Sequence, residues 1–212
     1  MAVLLIIASY LIGAVPFGLL LVRWTTRKDV RTIGSGRTGA TNTMRAAGYL
    51  VGAITLLLDA LKGAASVLLA RWALPGNLWA VVCAPLAAII GHNYSIFLVE
   101  RNEKGKLRLR GGAGGSTALG GAFALYPPVL IFLAIFGLIF YAGVGYASVA
   151  TMSFGVVTTI VFAINAAQGR LPAMYILYGV LSEALLLWAL RPNIRALING
   201  TERGVSWRAR KS

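Results

Sequence analysis

The sequence predicts an all-α integral membrane protein with seven transmembrane helices, its N-terminus outside and its C-terminus in the cytoplasm. Of its 212 residues, 58% are hydrophobic and only 12% are charged, although the net charge is +14. Globular soluble chains contain about a quarter charged residues. The composition therefore excludes a soluble enzyme, a disordered tail and a nucleic-acid-binding domain. The placement of the basic residues supports the orientation.

Seven apolar runs predict the helices, since a spanning helix needs roughly 20 mostly apolar residues. We expect spans at 1–22, 51–74, 78–99, 113–126, 127–142, 147–165 and 172–190. The first run carries no charge before Arg23, unlike a signal peptide, so it is expected to be retained as a helix. Alternatively, Tyr126-Pro127-Pro128 could kink one long helix and leave six spans.

The basic residues decide between six and seven spans. Lysines and arginines cluster at 23–45, 101–110 and 191–211, which together hold 17 of the 20. Seven spans place all three clusters on the cytoplasmic side, whereas six would put the third cluster opposite the other two. The positive-inside rule therefore favours seven. No internal repeat or long linker is visible, so 1–212 is expected to be a single domain.

The first polar loop, residues 31–45, is dense in glycine, hydroxyl groups and arginine. Glycine allows backbone N–H groups to approach a phosphate closely, and arginine supplies a charge-assisted fork. A helix that starts near Thr41 would add the positive end of its dipole. Contact with anionic lipid head groups is the alternative, but it requires charge and not hydroxyls and glycines. We interpret the loop as an anion-binding site.

A second glycine-rich loop, residues 108–117, runs directly into a short helix. A half-length helix whose N-terminus faces a polar cavity is a known way to bind anions in membranes. Close helix packing through small residues is the alternative. Further polar patches at 143–151, at 191–193 and at 199–202 lie on the same predicted side. Their convergence predicts one cavity for an anionic ligand.

Polar residues inside the predicted spans allow both structural and functional interpretations. Asp59 and Lys62 lie on one helix face and can pair. Glu183 is interpreted first as a structural partner of a serine or arginine, and His92 as a hydrogen-bonding residue more often than a base. The single cysteine, Cys83, excludes an internal disulfide, and too few soft ligands remain for an ordinary zinc site.

Several catalytic schemes do not fit these residues. An acyltransferase that uses a His-x4-Asp pair would need an aspartate where Phe97 stands. The only aspartates, Asp29 and Asp59, cannot form a two-metal phosphotransferase site. The remaining possibility is catalysis by positioning and electrostatics on an activated substrate.

At these residues the sequence resembles the bacterial acyl-phosphate:glycerol-3-phosphate acyltransferases, the PlsY family, along nearly its whole length. The first motif, Gly34-Ser-Gly-x-x-Gly-Ala-Thr-Asn-x-x-Arg45, is the most specific. The other matching segments, in chain order, are Tyr10–Gly18, Asp59-x-x-Lys-Gly63, Gly91–Leu98 with Gly111-Gly-x-Gly, Tyr146-x-Ser148 and Asn193–Glu202.

The resemblance implies a multi-pass enzyme of the bacterial cell (inner) membrane with its active site toward the cytoplasm. It would move a fatty acyl group from acyl phosphate to the 1-hydroxyl of glycerol 3-phosphate, giving lysophosphatidate and phosphate. The expected partners are both substrates and membrane lipids, with no metal, cofactor or nucleic acid, and the protein is expected to be a monomer. The resemblance suggests that a substrate phosphate accepts the hydroxyl proton.

The resemblance also implies roles for single residues. Ser35, Arg45 and Asn193 are the expected catalytic residues. The expected substrate-binding residues are Arg37, Thr41, Asn42, His92, Arg110, Gly111, Gly112, Gly114, Ser116, Thr117 and Ser148. Ser35 and Arg45, with Asn193 and Ser148, would hold glycerol phosphate. Thr41, Asn42 and the glycine run would hold acyl phosphate.

This sequence departs from the usual family pattern at the second motif and near the C-terminus. Arg110 and Ala113 stand where the family usually has two lysines, Leu190 stands where it has a histidine, and Arg37 replaces an asparagine. Arginine keeps the charge but changes its geometry. A second hypothesis is therefore a protein that binds or transports phosphorylated lipids or small organic phosphates without turnover. The third is a structural protein that holds anionic lipids.

Overall fold

The protein is helical in this computed structural model, which describes residues 1–101 and 105–205. The helices within that range are α1 (Ala2–Ala14), α2 (Phe17–Thr26), α3 (Ala40–Ala47), α4 (Tyr49–Ala73), α5 (Leu78–Asn93), α6 (Gly115–Leu125), α7 (Val129–Ile139), α8 (Ala147–Ala167), α9 (Tyr175–Ala189) and α10 (Arg191–Ile198). A 3₁₀ turn spans Val30–Thr32 and a π turn spans Phe140–Val144.

Within the described residues, three helical segments are long and apolar enough to cross a membrane: 2–26, 49–73 and 147–167. Shorter apolar helices span 78–93, 129–144 and 175–189. Four of the predicted spans match helices whose ends lie within three residues of the expected positions: 51–74, 113–126, 127–142 and 172–190. The helix predicted at 147–165 begins as expected and ends two residues later.

The first predicted span is not one continuous helix. Pro16 has no backbone N–H and restricts the residue before it, and Val15 accordingly leaves the helical region, with ψ at 118°. The chain resumes as α2 at Phe17. The break frees carbonyl oxygens in the interior, and the ammonium of Lys62 takes two of them, Gly13 O at 2.9 Å and Val15 O at 3.0 Å.

The predicted helix at 78–99 is wrong beyond Asn93. The chain instead forms an antiparallel hairpin of β1 (Ser95–Arg101) and β2 (Leu107–Arg110), with Val99 opposite Leu109. One face of the hairpin is held to the first loop, because Glu100 forms an ion pair with Arg31 at 2.6 Å. Leucine and arginine alternate along β2, which is typical of a strand, whereas β1 contains a continuous apolar run from Ile96 to Val99. Over residues 1–101 and 105–205, the fold is therefore helical with one small β element.

The two apolar runs around Pro127-Pro128 are separate helices. Helix α6 ends at Leu125, the next residue, Tyr126, has extended backbone with φ at −150°, and α7 starts at Val129. Pro128 tolerates this position because the first residues of a helix need no N–H partner. The alternative of one long kinked helix across these prolines is therefore not what forms.

Small residues bring the helices of the core together. A side chain at Gly63 or Gly120 would collide with backbone of the facing helix, so α4 and α6 pack at close range. Gly13 and Gly91 make the same contact between α1 and α5. The fully buried Tyr178 of α9 donates its hydroxyl to Ala118 O at 2.7 Å. These contacts form a closely packed scaffold.

The polar loops meet at one end of this scaffold. The backbone N–H of Thr38 in the first loop donates to Gly111 O of the glycine run at 3.3 Å. The N–H of Val205 in the C-terminal segment donates to Gly145 O, before α8, at 2.9 Å. Four segments that are distant in the sequence are therefore joined in two pairs at this end.

Candidate active site

A cavity of about 420 Å³ opens between the first loop and the starts of several helices. It is lined by most of the residues that the sequence singled out. Those lining residues are Ser35, Arg37, Thr41, Asn42, Arg45, His92, Gly114, Ser116, Ser148 and Asn193. The other predicted residues, Arg110, Gly111, Gly112 and Thr117, do not line it.

Asn42 organises the first loop from inside. Its side chain is only 2% exposed, and its Nδ2 lies 3.0, 2.8 and 2.9 Å from the carbonyl oxygens of Val30, Ile33 and Arg37. Its Oδ1 accepts the N–H of Ser35 at 3.2 Å. Because these partners occupy the amide, Asn42 shapes the loop that presents Ser35 and Arg37 to the cavity.

The arginines at the cavity differ in their surroundings. Arg37 donates through Nη2 to Ala189 O at 2.6 Å, and burial lowers its pKa from the ordinary value while the charge of Glu202 opposes that shift. Arg45 is exposed and makes no hydrogen bond or ion pair within the part of the chain that the structure describes. Arg203 reaches the same cavity from the C-terminal segment. An anion that enters would meet concentrated positive charge.

A network of ion pairs between side chains supports the first loop on the side away from the cavity. Asp29 pairs with Arg31 at 2.7 Å and with Arg23 at 3.0 Å. The hydrogen bond from Arg31 holds the pKa of the Asp29 carboxyl well below its usual range. Arg110 lies with Nη1 3.6 Å from Glu100 and donates through Nη2 to Gly36 O at 3.1 Å. Arg110 therefore supports the loop and does not face the cavity.

The glycine run allows the backbone to pass against His92. The N–H of Gly112 donates to His92 O at 2.9 Å, and a Cβ at Gly112 would collide with the imidazole Nε2. Gly114 has φ at 86°, a left-handed conformation that favours glycine, and it is the N-cap of α6. Gly114 and Ser116 line the cavity, whereas Thr117 is fully buried and does not line it.

Within the described residues, four helices begin at this cavity. Lining residues occupy the first turns of α3 (Thr41), α6 (Ser116), α8 (Ser148) and α10 (Asn193). The first N–H groups of a helix lack internal partners and carry about half a positive charge together. Four such ends beside arginine side chains make a site suited to phosphate.

The C-terminal segment contributes a residue that the sequence reasoning did not select. Glu202 Oε1 accepts the Ser148 hydroxyl at 3.0 Å and the Asn193 amide at 2.8 Å. This carboxylate therefore fixes two predicted site residues at once. Its rarity was an available signal, since the chain has only six acidic residues against twenty basic ones.

The cavity continues between α4, α6, α7 and α8 as an apolar groove. The groove is lined by Leu56, Leu119, Leu133, Leu138 and Phe154. Gly137 of α7 faces Phe154, and a Cβ there would lie 3.0 Å from Phe154 Cε1. One cavity thus offers a cationic, hydroxyl-rich part and an apolar part, which suits a substrate with a phosphate and a hydrocarbon chain.

The polar residues inside the helices have varied surroundings. Asp59 and Lys62 form the predicted pair at 2.8 Å, and the Nδ1 of buried His92 lies 3.0 Å from Lys62 Nζ. The expected partner of Glu183 is not found: among described residues, its Oε2 has no hydrogen bond, and its side chain packs on Gly155.

Comparison with known families gives an independent assignment. The glycerol-3-phosphate acyltransferase family model matches residues 3–200. A glycerol-3-phosphate acyltransferase of Rubrobacter xylanophilus is 43% identical over 202 residues, covering 95% of this chain and 94% of the relative. The corresponding protein of Myxococcus xanthus is 39% identical over 202 residues, covering 94% and 97%.

The fold agrees with solved structures of the same kind. The crystal structure of PlsY, an integral membrane glycerol 3-phosphate acyltransferase, in its glycerol 3-phosphate form superposes with a TM-score of 0.82 at 31% identity, covering 97% of this chain and 96% of that one. The lysophosphatidic acid form gives 0.78 at 30% identity, covering 96% and 94%. This chain is therefore a membrane protein of the PlsY, or glycerol-3-phosphate acyltransferase, family.

Proposed function

We propose that this protein transfers a fatty acyl group from acyl phosphate to the 1-hydroxyl of glycerol 3-phosphate, releasing phosphate and lysophosphatidate. The observation that carries the proposal is the two-part cavity, with arginines and helix N-termini at one end and the apolar groove at the other. A reaction between a lipid-soluble donor and a phosphorylated acceptor requires both parts. The family assignment and the glycerol 3-phosphate form of the related crystal structure support the acceptor.

The placement of the residues supports a role for each of them. Ser35 and exposed Arg45, with Asn193 and Ser148 held by Glu202, would bind the phosphate and hydroxyls of the acceptor. The starts of α3 and α6, with Thr41, Gly114 and Ser116 at them, would hold the acyl phosphate together with Arg37 and His92. Arg110, Gly111, Gly112, Asn42 and Thr117 would shape these two loops.

The chemistry needs little proton machinery. The acceptor hydroxyl oxygen attacks the acyl carbonyl carbon, the bond from that carbon to the phosphate oxygen breaks, and the proton goes to a phosphate oxygen. Acyl phosphate is already activated, and phosphate is a good leaving group. The site would contribute orientation and donors aimed at the developing negative charge. Glu202, the carboxylate at the cavity, is occupied by two donors.

The orientation in the membrane is part of the proposal. We infer seven spans, with the cavity on the cytoplasmic side of the bacterial inner membrane, in a single-domain monomer. Exposed tryptophans support two interfaces: Trp72 and Trp79 flank the turn between α4 and α5, while Trp24 and Trp188 stand near the basic segments. Tryptophan is enriched where a helix meets the head groups.

The test uses the full chain in lipid nanodiscs with palmitoyl phosphate and glycerol 3-phosphate, following phosphate and lysophosphatidate together. We expect both products in equal amounts. Arg45→Ala should lower kcat/KM for glycerol 3-phosphate roughly 10- to 100-fold, because a charge-assisted hydrogen bond contributes about 1.5–3 kcal/mol. Ser35→Ala should reduce turnover in the same direction. Arg195→Ala, at an exposed arginine of α10 outside the cavity, is the matched control.

Binding without turnover is the second candidate, and two residues of the cavity favour it. Ala113 and Leu190 line the cavity where the resemblance has a lysine and a histidine. If acyl phosphate binds the nanodisc protein but neither product forms, the acyltransferase proposal fails and the binding function is retained. Wild-type turnover in both the Ser35 and Arg45 variants would instead refute the site assignment.

A further inference from the structure

A buried cluster of Asp59, Lys62 and His92 lies beneath the glycine run. Asp59 is 1% exposed and Lys62 is 3% exposed, and their charged atoms are 2.8 Å apart. A buried charge is costly unless it is paired and hydrogen-bonded. Asp59 neutralises Lys62, yet the ammonium has further partners beyond this ion pair.

Those partners connect the first helix to the cavity. Lys62 Nζ donates to Gly13 O and Val15 O, the carbonyl oxygens freed by the break at Pro16, at 2.9 and 3.0 Å. It also lies 3.0 Å from Nδ1 of His92. Lys62 therefore joins α1, α4 and α5 at a single point directly behind the site.

The contact with Lys62 determines which nitrogen of His92 carries the proton. An ammonium group can only donate, so Nδ1 must accept and the ring proton must lie on Nε2. Asp59 Oδ1 is 3.6 Å from the same Nδ1, too far to be a hydrogen-bond acceptor. The Nε2 edge packs against Gly112, and His92 lines the cavity. His92 can therefore offer an N–H to a ligand at the glycine run.

We propose that Lys62 is a positioning residue for acyl transfer: it holds His92 as the Nε2–H tautomer, which donates to the phosphate of the acyl donor beside the glycine run. This inference rests on the proposed function. It assigns Lys62 to the donor and not to glycerol 3-phosphate, because the residues that would hold the acceptor lie in the first loop, at the start of α8 and in the C-terminal segment, and Lys62 contacts none of them.

The tautomer can be tested without a variant, because His92 is the only histidine in the chain. Protein labelled with ¹⁵N-histidine in nanodiscs should show one protonated and one unprotonated ring nitrogen. The protonated nitrogen should be the one that correlates with both Hε1 and Hδ2, which identifies it as Nε2. A proton on Nδ1, or on both nitrogens, at neutral pH would overturn the proposal whether or not the enzyme turns over.

The kinetic test compares Asp59→Asn with Asp59→Asn/Lys62→Met. The single variant removes the ion pair and keeps the contact of Lys62 with His92, while the double variant removes both and leaves no unpaired buried charge. We expect the added Lys62→Met change to lower kcat/KM for palmitoyl phosphate about tenfold or more, as misplaced catalytic groups do. KM for glycerol 3-phosphate should stay within about twofold.

Repeating the comparison in a His92→Ala background separates positioning from structure. If Lys62 acts through His92, the Lys62→Met change has almost no further effect there. The same loss in both backgrounds, or a rise in KM for glycerol 3-phosphate alone, would refute the proposal while the wild-type enzyme remains active. If the wild type itself yields no lysophosphatidate, the proposed function fails instead.

Discussion

The substitution Asn42→Asp keeps the size and shape of the side chain almost unchanged, and we expect it to open the first loop. The variant exchanges the amide N–H₂ for a carboxyl oxygen that faces three carbonyl oxygens at 2.8–3.0 Å. Two N–H donors are lost from a site that is 2% exposed. Each unpaired buried polar group costs about 1–3 kcal/mol, so we expect about 2–6 kcal/mol in favour of the open loop.

Two measurements check this result. Initial rates of lysophosphatidate formation should fall by at least about tenfold, since 1.4 kcal/mol corresponds to a factor of ten. Hydrogen exchange at the Ser35 amide, which donates to Asn42 Oδ1, should accelerate. Asn199→Asp makes the same chemical change at an exposed position and is the control. A variant with wild-type rates and unchanged protection at Ser35 would show that the amide network does not hold the loop.

Three further predictions address the apolar groove, the glycine run and the ion pairs of Asp29. Gly137→Leu should shorten the apolar groove, because even a Cβ lies 3.0 Å from Phe154, and kcat/KM should fall for palmitoyl phosphate more than for decanoyl phosphate. Gly112→Ala should reduce turnover at least tenfold by displacing His92. Asp29→Asn should make the thermal unfolding midpoint depend less on pH under acidic conditions. The low pKa of the Asp29 carboxyl in the folded protein stabilises the fold above about pH 4, and this stabilisation is lost as the pH falls further.

Matched variants isolate each effect. Gly143→Ala adds a methyl group where no atom lies within 4 Å. It is the control for Gly112→Ala, and its turnover should equal that of the wild type. Equal losses for both acyl lengths in the Gly137 variant would refute the groove assignment. For Asp29, an unfolding midpoint that falls with pH as steeply as in the wild type would contradict the ion-pair argument.

The helices were largely predictable because hydrophobicity dominates this sequence. Apolar runs located α4, α6, α8 and α9 within a few residues. The predicted helix is wrong past Asn93 because Ile96, Phe97 and Leu98 continue the apolar run, although they belong to a strand. Strand pairing depends on residues about ten positions downstream, which hydropathy over a local window does not include.

The sequence predicted which residue types form the site but not which of them line the cavity and which support the loops. Loop residues rich in glycine, hydroxyls and arginine indicated an anion, and the first motif does line the cavity. The sequence could not show that Asn42 faces inward or that Arg110 supports Gly36. Glu202 was not predicted because its partners Ser148 and Asn193 lie 54 and 9 positions away in other elements, and sequence spacing predicts neither contact.

The order of synthesis gives the C-terminal segment a particular importance. Glu202 and Arg203 are the last lining residues of the cavity along the described chain. A chain that stops after α9 would keep every long apolar helix yet lack Asn193 and Glu202. The long apolar helices and the complete site therefore depend on different parts of the chain. We expect a chain truncated after α9 to insert into the membrane but to lack activity. A fusion close to residue 205 should disturb the site, because it adjoins the lining residues Glu202 and Arg203.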